Sequence, residues 1–115
     1  MKLEPGLSSI YLHREPVDFR KAINGLMLIV EQEMELSPFA NALFLFTNKS
    51  RDKIKVLYWD KTGFCLWYKR LEKHRFKWPL KSDQSVLILN PQQWDWLLSG
   101  MDIIGHEPLT FAAVR

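Results

Sequence analysis

Residues 53–71, KIKVLYWDKTGFCLWYKRL, decide the architecture. From Lys53 to Trp59 the side chains alternate, with Ile54, Val56 and Tyr58 on one face and Lys53, Lys55, Leu57 and Trp59 on the other. That two-residue period is the signature of a β-strand. Asp60-Lys61-Thr62-Gly63 follows as a hairpin signal, with Gly63 suited to the left-handed position of a bulged loop. Phe64 to Leu71 then returns as the partner strand. Upstream, Leu43 to Thr47 (LFLFT) is a continuous apolar run of the kind found in a central strand, and the polar stretch Asn48 to Asp52 turns the chain into the hairpin. Downstream, His74 to Trp78 alternates again and puts Arg75 and Lys77 on one side before Pro79 closes it. Val86 to Leu89 and Ser9 to His13 read as short outer strands.

Two helices complete the pattern. Pro16-Val17-Asp18 opens the first, with Asp18 as its N-cap. Phe19, Ala22, Ile23, Leu26, Val30 and Met34 recur at helical spacing, carrying it to about Glu35, and Ser37-Pro38 ends it. Gly25 within this helix costs about 1 kcal/mol relative to Ala, which points to close packing there. The second helix has sharper limits: Asn90 as N-cap, Pro91 at the first helical position, Gln93 placed for a capping box, and Gly100 as the stop. Its apolar face is Trp94, Leu97 and Leu98. The predicted order is β-α-β-β-β-β-β-α, an α+β fold with a mostly antiparallel sheet of five to six strands and two helices against it.

With 115 residues, 47% of them apolar, the chain has the size and composition of one globular domain, with no repeat or linker. The single cysteine, Cys65, excludes a disulfide framework and suits a small buried hydrophobe in a reducing compartment. The opening MKLEPGLSSIYLHREP places Pro5, Gly6 and charges where a signal peptide needs an unbroken apolar stretch. No apolar run approaches the ~18 residues of a membrane span. A cytoplasmic protein without membrane contact is expected.

Charge is distributed unevenly. Residues 49–81 hold eleven basic side chains against three acids, a net +8, while the remainder holds five against ten, a net −5. The same segment carries Tyr58, Trp59, Phe64, Trp67, Tyr68, Phe76 and Trp78, seven of the fifteen aromatics. Lys and Arg attract backbone phosphates through counterion release, and aromatics on a sheet stack on unpaired bases. The candidate nucleic-acid-binding residues are therefore Lys53, Lys55, Lys69, Arg70, Arg75 and Lys77, on the expectation that their faces converge into one cationic stripe. Arg20 and Lys21, in the first turn of the first helix where the macrodipole disfavours cations, form a second candidate anion site. The competing reading makes the charges solvated outer positions and the aromatics core.

Catalytic signals are missing. The sequence contains no Walker loop, dinucleotide-binding glycine motif, zinc-protease motif or nucleophile elbow. His13, His74 and His106 stand far apart, with no second ligand at metal spacing. Asp18, Asp60 and Asp102 make a conceivable two-metal nuclease set, but a helix cap and a turn account for the first two. The expectation is a binding protein with no cofactor and no metal.

Several stretches together resemble a known group. Ile10-Tyr11-Leu12 and Pro16-Val17-Asp18-Phe19-Arg20-Lys21 followed by Asn24-Gly25-Leu26 are similar to its opening pattern. The block from Leu43 to Lys49, the run Asp52 to Asp60, then Gly63 to Glu72 and Arg75 to Pro79 continue the likeness. The group is the small TnpB or Orf2-like accessory protein of the insertion-sequence sixty-six family of bacterial transposable elements. The resemblance covers a core of about residues 9–100 and leaves 101–115 as a variable tail without the Arg/Trp-rich ending of many members. It implies a role in transposition beside a separate, larger transposase that performs the strand chemistry, and no established enzymatic activity for this chain. Two partners follow: DNA, held by its phosphate backbone with weak sequence preference, or the transposase, with Trp94 and Trp96 on opposite sides of the last helix as anchors.

Overall fold

Strand β2 (Ala42–Thr47) is buried at all six positions, because it lies inside the sheet with both of its faces covered. The computed structural model describes residues 9–99. Around β2 run β1 (Ser9–His13), α1 (Ile23–Gln32), β3 (Lys53–Asp60), β4 (Gly63–Arg70), β5 (Val86–Leu89) and α2 (Pro91–Leu98). The sheet order is β4-β3-β2-β1-β5. β1 and β2 are parallel, as strands joined through a helical crossover, while the β1–β5, β2–β3 and β3–β4 pairs are antiparallel. The expected α+β class with a mostly antiparallel sheet is the observed one.

Each face of the sheet has its own core. On one, Leu26, Ile29, Val30 and Met34 of α1 pack on Ala42, Phe44, Phe46 and Leu57. On the other, Trp94 and Leu97 of α2, with Phe76 and Trp78 of the 71–80 segment, cover Ile10, Leu12, Leu43, Leu45, Ile54, Val56 and Leu89. The alternation in β3 therefore points Ile54 and Val56 to the α2 side and Leu57 to the α1 side. The Asn90 capping box is present: Asn90 Oδ1 accepts from the Gln93 amide at 2.8 Å and Gln93 Oε1 from the Asn90 amide at 3.0 Å. His13 is a packing residue, 5% exposed, between the Glu15 carbonyl and the Glu33 carboxylate.

Four expectations need correction. His74 to Trp78 is not a strand. Phe76 and Trp78 are buried and Arg75 and Lys77 exposed, as alternation requires, but the segment crosses over a sheet face instead of joining an edge. Alternation records one buried side and does not distinguish a ladder from a strap. The sheet thus has five strands. Second, α1 begins at Ile23, with Ala22 as an N-cap that makes no side-chain hydrogen bond. Asp18 caps an earlier, separate turn by accepting from the Arg20 amide at 2.9 Å. Third, the left-handed residue of the hairpin is Lys61, at φ 52°, while Gly63 is an ordinary strand residue opposite Asp60. Fourth, Cys65 is half-buried in an edge strand, not fully buried. The Gly100 stop, the 101–115 tail, Asp102 and His106 lie outside the described residues.

Candidate nucleic-acid interface

The cations singled out by sequence do not form one stripe. Lys53 and Arg70 are register partners on the α1 side of the sheet, and Lys55 shares that side with Leu57. Lys69 points to the opposite side, where its Nζ donates to the Leu98 carbonyl at 3.2 Å. A cation there faces the negative end of α2. Arg75 and Lys77 belong to the strap on the α2 side. Residues from β3 and from the strap therefore sit on opposite faces.

Most of these cations also have internal partners. Lys55 Nζ donates to the carbonyls of Phe19 (2.8 Å) and Lys21 (2.9 Å) and lies 4.7 Å from the centre of the Phe19 ring. Burial pushes its pKa down, opposed by the attraction of Asp18. Lys55 thus clamps the chain entering α1 onto β3. Arg20 is held by Asp18 at 2.6 Å, and hydrogen bonding from Arg20 holds the Asp18 carboxyl at a pKa of about 2. Arg70 pairs with Glu72 at 2.9 Å, and Lys53 approaches Asp52 at 3.7 Å. Lys21 makes no ion pair to a described residue, and its stem is 3.0 Å from where a side chain on Gly25 would begin. Arg20 and Lys21 precede α1 instead of occupying its first turn.

A different group does come together. The β2–β3 turn, the strap and the end of α2 enclose an open groove of about 1020 Å³, lined by Arg51, Lys73, His74, Arg75 and Lys77, with Leu71 and Leu80 among its apolar residues. Arg51, Lys73, Arg75 and Lys77 have no ion pair or side-chain hydrogen bond to any described residue. The acids of the lining, Asp52 and Glu72, are paired with Lys53 and Arg70. The Asp52 pKa is lowered chiefly by a hydrogen bond from the Asn48 side chain at 2.7 Å and to a lesser degree by the Lys53 charge. Charge at this groove is therefore positive and uncommitted.

The groove walls are fixed by backbone. The Phe76 amide donates to the Arg51 carbonyl at 2.7 Å and the Leu71 amide to the Asp52 carbonyl at 2.8 Å. The Trp78 indole N–H donates to the carbonyls of His13 (3.2 Å) and Arg14 (3.0 Å), tying the strap to the end of β1. Arg51 sits at φ 61°, a conformation that costs a non-glycine residue roughly 1–2 kcal/mol. Sequence reasoning had Arg75 and Lys77 but passed over Arg51, Lys73 and His74. Their signal was membership of the same basic segment; what masked Arg51 was its position in a stretch read only as a turn.

Trp94 is not an exposed anchor. It is 1% exposed and packs against Trp67, ring centres 6.3 Å apart, since it lies on the buried stripe with Leu97. Trp96 is half-buried. An exposed aromatic cluster lies elsewhere: Phe39, 53% exposed, meets Trp59 at 5.1 Å and Phe64 at 5.2 Å beside the hairpin tip. Among the described residues no group of three or more His, Cys, Asp or Glu is arranged to hold a metal ion, and no helix is long and apolar enough to cross a membrane.

Two curated relatives from Sinorhizobium fredii (strain NBRC 101917 / NGR234) are similar to this chain. Uncharacterized protein y4jC is 33% identical over 93 residues, covering 81% of this chain and 79% of its own. Uncharacterized protein y4hO is 36% identical over 85 residues, covering 74% and 73%. No solved structure matches significantly. Residues 8–107, a range that includes every described residue, match the family described as IS66 Orf2 like protein, so the chain belongs to the Orf2-like family of this insertion sequence, whose members are implied to be accessory proteins of transposition.

Proposed function

We propose that this accessory protein acts without strand chemistry of its own and contacts the DNA backbone in the groove bounded by the β2–β3 turn and the strap. One observation carries the reading: Arg51, Lys73, Arg75 and Lys77 share that groove, and no described residue pairs with their side chains. Phosphate oxygens satisfy such cations, and release of counterions drives the contact. Base readout contributes little, because α2 lies flat with Trp94 and Leu97 buried and presents no recognition helix. Four neutralised phosphates correspond to a slope of log affinity against log salt of about −3 to −4. An anisotropy titration of labelled DNA at several salt concentrations measures it; a flat response overturns the proposal.

A second reading is favoured by the Phe39, Trp59 and Phe64 cluster, whose half-exposed rings suit a protein partner, the transposase of the same element. Copurification with the transposase after nuclease treatment in high salt, lost on Phe39→Ala, supports this adaptor role. Loss of the complex on nuclease treatment alone counts against it.

A further inference from the structure

We infer that the groove takes an unpaired nucleic-acid strand in preference to a duplex, an inference that rests on the phosphate-binding reading above and specifies the form of its ligand. Shape is the first ground. A duplex offers its phosphates on a convex cylinder, and reading it takes a helix or ribbon that projects into a groove of the DNA. Here the cations line a concavity of about 1020 Å³, and the adjoining helix packs Trp94 and Leu97 into the core. A duplex meets such a recess only at the rim, whereas a single strand, with its torsional freedom, enters it.

The lining is the second ground. Phe76 and Trp78 turn their rings into the core, so the apolar surface beside Arg75 and Lys77 comes from the half-buried Leu71 and Leu80. Charge beside apolar surface fits a ligand that is itself alternately anionic and flat: phosphates meet the ammonium and guanidinium groups while unstacked bases lie on the apolar parts. The guanidinium planes of Arg51 and Arg75 are stacking surfaces as well as charges. In a duplex the base faces are already occupied by their neighbours, so this part of the lining stays unused.

The backbone supplies the third ground. Arg51 is left-handed, with its amide bonded to the Asn48 carbonyl within the turn and its carbonyl accepting from the Phe76 amide of the strap. Strain of this kind persists where the surroundings over-determine it, and it concentrates at ligand clamps. Arg51 in this conformation shares the lining of the groove with Lys73, Arg75 and Lys77.

The experiment compares a labelled oligo-dT with a duplex of equal length by fluorescence anisotropy in moderate salt, using the intact chain. Binding to the single strand is expected to be at least about tenfold tighter, the scale of one base-stacking contact. The double variant Arg75→Ala/Lys77→Ala removes most of that binding. Arg51→Gly, which relieves the backbone and keeps the fold, weakens it severalfold, and thermal melts confirm that both variants are folded. Equal or tighter duplex binding overturns the strand preference while leaving the phosphate contact standing. Binding to neither form overturns both. Single-strand binding that survives in the folded double variant removes the groove as its location.

Discussion

Most of the positive charge on the two sides of the sheet is used in opposite ways, with Lys69, bound to the Leu98 carbonyl on the strap side, and Lys21, beside α1 without an ion pair to a described residue, as the exceptions. On the α1 side, Lys55 is bound to two carbonyls and a ring, Arg20 to Asp18 and Arg70 to Glu72. On the strap side, Arg51, Lys73, Arg75 and Lys77 line an open groove without such partners. The first set holds the molecule together and the second is available to something outside it. Formal charge per segment counts both sets alike, which is why a net +8 over residues 49–81 overstates what a ligand meets. What separates them is whether a backbone carbonyl or carboxylate lies within reach once the chain has folded.

The contrast is most exposed to failure at Trp94, which supports the groove side from beneath. Trp94→Ala should lower stability by about 3–5 kcal/mol in urea unfolding, because the ring is 1% exposed and nothing replaces it. A small change there means that α2 is not the lid of that core. Lys55→Met comes next, at about 2 kcal/mol, from the loss of two charge-assisted hydrogen bonds. DNA affinity of the folded variant should be unchanged; a marked fall makes the α1 side a binding surface and erases the distinction. Arg51→Gly moves the other way in stability, gaining about 1 kcal/mol by relief of the left-handed residue, while its salt slope falls by about one contact. The smallest effect concerns Asp18. Its folded pKa of about 2 lies below the usual 3.8, so its contribution is complete above 3.8 and is lost as pH falls toward 2. The melting difference between the wild type and Asp18→Asn should therefore shrink over that window.

Much of the fold was legible because burial imposes periods on the sequence. β2, the β3–β4 pair and the capped start of α2 each obey a local rule that tertiary contacts reinforce. The start of α1 was misplaced for an identifiable reason: Asp18 is a good cap, and it caps a different turn. The strap was misread because Phe76 and Trp78 face a sheet while the Phe76 amide pairs with a turn and the Trp78 amide with the Phe76 carbonyl, and side-chain alternation carries no information about amide partners. The site was half visible. Arg75 and Lys77 announce themselves as exposed alternates, but the proximity of Arg51 depends on the Phe76 amide reaching back across the chain, a contact no spacing rule encodes.

The Trp78 indole proton, shared between two carbonyls at the far end of β1, links sequence-distant parts of the chain in a single donor. Its solvent exchange is consequently a built-in gauge of how often the strap lifts: a slow signal marks a shut cleft wall, and quickening on heating before global melting reports local opening. One resonance, readable without any label, follows the mechanical integrity of the region that the proposed ligand occupies.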